Sequence, residues 1–171
     1  MKVLIKDSPK YPGNKTILLG FNKLDLNYPK EFHFGEEVLF LKNEFHLTLV
    51  GNEDSLKLQK KRIDYSKLKK EIYSIVKNYK IKFDNEYYIL KKKYSEDETR
   101  ISLIQLLTTE IIEKFRKLIK LNYNIQFSKN LPTPHITLYK QKENNGVGLS
   151  SKFALKKYSI KKFNKKELEI E

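Results

Sequence analysis

Cysteine is absent from the 171 residues, so disulfide staples, thiolate zinc centres and cysteine nucleophiles are excluded together. Proton chemistry near neutral pH falls to three histidines, His33, His46 and His135. Long apolar runs are missing too. The opening stretch offers three consecutive apolar residues, Val3 to Ile5, where a secretory leader needs roughly 7 to 15. No segment approaches the roughly 18 that suggest a membrane span. These features predict a soluble, cytoplasmic protein without membrane association. Arginine stands only at Arg62, Arg100 and Arg116, and alanine only at Ala154, so lysine carries almost all of the cationic charge behind the net +14. Abundant Lys, Asn, Ile and Tyr follow A- and U-rich codons, which accounts for part of that charge. The excess positive potential favours phosphate-bearing ligands whatever its origin.

What is present suffices for a core. Hydrophobic residues make up 39% and aromatic residues 12%, which excludes disordered, collagen-like and mucin-like classes. The length suits one domain over residues 1–171. Residues 16–21 form a short apolar run after the breakers Pro9, Pro12 and Gly13, and read as a buried strand. Residues 31–41 alternate around Phe32, Phe34, Val38 and Phe40, with Gly35 between them, which predicts a hairpin. Residues 45–50 alternate at period two up to Gly51-Asn52, another strand. The period then changes. Tyr65, Leu68, Ile72, Ile75 and Tyr79 share one stripe of a helix over 64–79.

Residues 86–94 read as a strand near a sheet edge, 95–98 as a turn and 100–106 as a further strand. Thr108 or Thr109 caps a second helix with a stripe of Leu107, Ile111, Phe115 and Leu118, ending at Asn122. A strand follows at 135–139, then a mobile loop at 141–148 containing Asn144, Asn145, Gly146 and Gly148, and a last strand over 152–163. This mixed order predicts an α+β fold.

The most informative feature is a repeated tetrapeptide, His46-Leu47-Thr48-Leu49 and His135-Ile136-Thr137-Leu138. In a strand, alternate residues share a face, so Leu47 and Leu49, or Ile136 and Leu138, turn to the core while His and Thr face the other way. Threonine occurs at seven positions, so two of three histidines having Thr two residues on arises by chance at about half a percent. Each strand then presents an imidazole and a hydroxyl roughly 6 to 7 Å apart, a spacing that suits a phosphate group.

The paired His-hydrophobic-Thr-hydrophobic motifs resemble those of the two-histidine (2H) phosphoesterase superfamily, which includes LigT-like 2′,5′ RNA ligases and cyclic phosphodiesterases. The resemblance is sharp at His46 to Leu49 and His135 to Leu138, and elsewhere covers only the pattern of strands and helices. It implies two pseudo-symmetric lobes, about 1–95 and about 96–171, of mostly antiparallel sheet with helices outside and one motif strand each, facing a central cleft. Many members place a helix before the first motif, where this chain reads as a hairpin.

Two imidazoles with intrinsic pKa near 6.5 can hold opposite protonation states near neutrality, one as base and one as acid. The expected catalytic set is His46, Thr48, His135 and Thr137, with the threonines as donors to non-bridging phosphate oxygens. Tyr139 reads as a same-face residue able to stack on a base, Lys140 as pointing the opposite way, and Tyr11 and Lys15 as belonging to a loop that borders the cleft; these four are candidate substrate contacts. His33 reads as structural.

No HxxxH spacing or carboxylate cluster accompanies the motifs, and phosphate-loop and dinucleotide fingerprints are missing, so neither metal nor cofactor is expected. The implied substrates are RNA ends, 2′,3′-cyclic phosphates or small cyclic or 2′,5′-linked nucleotides, handled by a monomer with no obligate protein partner. Ligation is the reverse direction. The competing reading is a non-catalytic basic RNA-binding module on the same fold.

Overall fold

Alternating apolar residues build two antiparallel sheets, and the structure, a computed structural model, describes residues 1–21, 28–142 and 145–168. The first sheet contains β1 (Lys2–Asp7), β2 (Lys15–Phe21) and β5 (Phe45–Val50), in the order β1-β2-β5. The second contains β3 (Glu31–Phe34), β4 (Glu37–Leu41), β6 (Lys82–Lys93), β7 (Thr99–Thr108), β8 (His135–Lys140) and β9 (Ser159–Asn164), in the order β3-β4-β8-β7-β6-β9. Every pairing is antiparallel. The expected α+β class is therefore observed.

One face of each sheet joins a shared core in which Ile17 and Leu47 meet Leu103 and Ile136. Helix α2 (Tyr65–Asn78) adds Leu68 and Ile72, and α3 (Ile111–Tyr123) adds Phe115 and Ile119. Both helices start where the sequence supplies acceptors. The Asp64 carboxylate takes the Ser66 and Lys67 amides at 2.9 and 3.1 Å, and the Thr109 hydroxyl takes the Ile111 amide at 3.2 Å. That satisfies N–H groups that the first helical turn leaves unpaired. Helix α3 runs past Asn122 and stops at Asn124, whose left-handed φ of 51° ends the ladder.

Several expectations need correcting. Residues 152–163 are not one strand. Ser151 accepts the Ala154 amide at 3.1 Å and starts helix α4 (Lys152–Tyr158), whose Ala154 is buried, and only then does β9 begin. The sheets also do not divide near residue 95. The hairpin β3–β4 pairs through β4 with β8, and β6 pairs with β7, so both belong to the sheet of the second motif. Strand β1 and helix α1 (Asn52–Gln59) were not expected; the acidic Glu53 and Asp54 in the first turn of α1 are the signal for the latter. Among the described residues no helix is long and apolar enough to cross a membrane.

Candidate active site

The two motif strands are built alike. In β5, His46 stands opposite Gly20 and Thr48 opposite Leu18, and the ladder then slips so that Val50 faces Ile17. Leu49 is the additional residue of a bulge. In β8, His135 stands opposite Leu106 and Thr137 opposite Ile104, and Tyr139 then faces Leu103, leaving Leu138 as the additional residue. The bulge thus falls three residues after the histidine in both strands. It turns two successive residues into the core, Leu49 with Val50 and Leu138 with Tyr139, all at most 2% exposed. His46, Thr48, His135 and Thr137 remain half-buried on the opposite face.

These strands lie side by side. Cα atoms of β5 and β8 approach within 8 Å where the two sheets meet. The chain crosses from one sheet to the other between them. Leu41 still pairs with Tyr139, the Lys42 amide donates to the Leu138 carbonyl at 2.8 Å, and Phe45 already stands opposite Phe21. The first histidine is therefore tethered, four residues after Lys42, to the bulge of the second strand.

His135 Nδ1 lies 2.7 Å from the Thr133 carbonyl. A carbonyl only accepts, so Nδ1 carries the proton and Nε2 is the lone-pair nitrogen. His46 Nδ1 is enclosed without a hydrogen-bond partner among the described residues. Burial, followed by the charges of Lys42, Lys6 and His135, depresses the His46 pKa to about 4, against a smaller opposing pull from Glu44. Burial also lowers that of His135, opposed by the Thr133 carbonyl and aided by Lys42. Both shifts run below the ordinary imidazole value and favour the neutral ring.

The second motif is covered on one side by residues 145–149. The Val147 amide donates to Ser102 Oγ at 3.0 Å, and Val147 and Leu149 are buried with Leu90, Ile104 and Ala154. Gly146 passes close enough that a β-carbon there would sit 3.1 Å from Thr137 Cγ2 and 3.3 Å from its Oγ1. The expected mobile loop is thus a packed flap over Thr137 in residues 145–148. Asn144 lies outside the described residues.

The bulge in β8 reverses two assignments. Tyr139 does not share the face of Thr137: it is 2% exposed, and its hydroxyl donates to the Pro29 carbonyl at 2.8 Å. Lys140 accordingly returns to the histidine face, where its charge bears on Lys42. Tyr11 hydrogen-bonds both Glu53 carboxylate oxygens at 3.0 Å, at the start of α1. Lys15 is paired with Asp7 at 2.6 Å and alternates with Thr16 onto the other face of β2. Among the described residues neither hydrogen-bonds a motif side chain. His33 is exposed on β3, 4.0 Å from Glu31.

Sequence reasoning missed Lys42, which is half-buried at the crossing. Among the described residues no group of three His, Asp or Glu side chains stands where it could hold a metal ion. A concavity of about 200 Å³ on α3, lined in part by Arg116, Lys120 and Phe127, lies apart from the motif residues. No family model, curated protein or solved structure matches this chain.

Proposed function

We propose that the chain is a metal-independent 2H-type phosphodiesterase acting on 2′,3′-cyclic phosphates, RNA ends or 2′,5′-linked nucleotides. The observation that carries this reading is the meeting of β5 and β8, each with an outward His and Thr before the same bulge. Two such strands from different sheets also support descent from a duplicated half, with the histidines on either side of one cleft.

In the hydrolytic direction, water attacks phosphorus and gives a proton to one imidazole, while the other imidazolium gives a proton to the leaving ribose oxygen. The acid must be held as imidazolium, which favours a hydrogen-bond acceptor at Nδ1. His135 has one in the Thr133 carbonyl, and among the described residues His46 has none, so His135 is assigned as acid and His46 as base. The bound phosphate supplies the negative charge that raises the His135 proton affinity, so binding takes up a proton. Thr48 and Thr137 donate to the non-bridging oxygens.

The reading is tested by incubating the purified protein with 2′,3′-cyclic mononucleotides and with cyclic-phosphate-ended RNA, with and without chelator. Phosphomonoester product unaffected by EDTA is expected. Steeply salt-dependent RNA binding without product, unchanged by histidine substitution, would replace the enzyme with a binding module.

Two further outcomes concern the threonines. Thr48→Val or Thr137→Val, which keeps shape and removes one donor, lowers kcat by about 10²-fold. Gly146→Ala pushes the flap against Thr137 and lowers kcat/KM by about tenfold through misplacement, while circular dichroism shows the fold retained. Both are read in steady-state assays.

A further inference from the structure

Lys42 occupies a position that costs stability and that, among the described residues, no hydrogen bond or ion pair of its side chain accounts for. Its amide is fixed to the Leu138 carbonyl at 2.8 Å, so the residue is held between the two motif strands rather than on a free loop. Its side chain is half-buried, and among the described residues its ammonium makes no hydrogen bond or ion pair. The charged groups that face it are Lys6 from β1, Glu44 on the crossing segment and Lys140 from β8, and its own charge bears on His46 and His135. Glu44, the one anion among them, is taken by Lys6 at 2.7 Å.

A partly desolvated cation among like charges lacks its counter-charge. The geometry points to Lys42 as a phosphate-binding residue of this site, its ammonium completing an anion pocket with the two HxT pairs. This rests on the functional reading above and adds a cation to a machinery of imidazoles and hydroxyls.

Its effect is twofold. The ammonium neutralises charge on the non-bridging oxygens, where an added cation stabilises the phosphorus centre as charge develops. In the empty site the same charge helps to keep both imidazoles deprotonated, so that they gain protons only together with the anion. The depressed Lys42 pKa, about 8, has burial as its first cause and Lys140 as its second, consistent with a cation awaiting a ligand.

The test uses the full chain with Lys42→Met, Lys42→Arg and, as a control for bulk charge, Lys70→Met on the exposed side of α2, the helix that packs on the core face of the first sheet. Binding of inorganic phosphate is followed by calorimetry, and His46 and His135 are titrated by NMR.

Lys42→Met is expected to weaken phosphate at least tenfold and to move both imidazole titrations upward toward 6.5. Lys42→Arg keeps binding within a few-fold, and Lys70→Met matches wild type. Unchanged phosphate affinity and unchanged histidine titrations in Lys42→Met would overturn the assignment. Because phosphate binding needs no turnover, a wild type that binds phosphate through Lys42 yet cleaves no cyclic phosphate refutes the activity and leaves the cation site standing.

Discussion

Replacing His46 or His135 by alanine lowers kcat for 2′,3′-cyclic phosphate hydrolysis by about 10² to 10⁴-fold, the usual contribution of one positioned acid or base. The double variant loses little more than the worse single one if the two act in one concerted step. Neither change removes a core side chain, since both rings lie on the face away from the shared core, and thermal unfolding should remain cooperative. The pH profile carries a sharper signature. Both imidazoles are depressed below 6.5 in the free protein, and kcat/KM reports free-enzyme groups. Its bell therefore peaks below pH 6.5, to the acid side of a profile set by two unperturbed histidines. A single-sided profile, or alanine variants with wild-type turnover, would remove both rings from the chemistry.

The second large effect is on stability in acid. His46 titrates near 6.5 when unfolded and at about 4 when folded. Above pH 6.5 neither state holds the proton, and the native state has its full stability. As pH falls from 6.5 toward 4 the unfolded chain binds a proton that the folded chain refuses, and stability is lost across that window. The loss is at most about 3 kcal/mol, because solvent reaches the half-buried ring. His46→Asn should therefore lose stability with falling pH only through other groups, so that its urea midpoint falls less than that of wild type between pH 7 and 4.5. Equal falls in the two proteins would show that His46 is not buried as a neutral ring.

The motif pair was legible because period-two alternation, a β property, ties His to Thr and both to the face opposite Leu47 or Ile136. The bulges were not. Nothing in Leu49-Val50 or Leu138-Tyr139 marks an additional residue, since bulges arise from pairing with strands distant in sequence, and strict alternation then assigns Tyr139 and Lys140 to the wrong faces. Lys42 was hidden for a related reason. Among so many lysines, one at the end of a hairpin looks solvated, and only the crossing between sheets shows that it is partly buried. The basic stretch from Lys152 misled in the other direction, because Ser151 as a helix cap outweighed the β-like residues that follow it.

The insertion of β3 and β4 into the sheet that carries β8 has a developmental consequence for the molecule. An N-terminal piece ending near residue 95 would carry β4 and β6 without the strands they flank, and the remaining piece would leave β7 and β8 with bare edges on both sides. Main-chain pairing between early and late parts of the chain must form before β5 and β8 lie side by side. A chain interrupted before Lys140 therefore lacks the β4–β8 pairing that sets the two motif strands side by side.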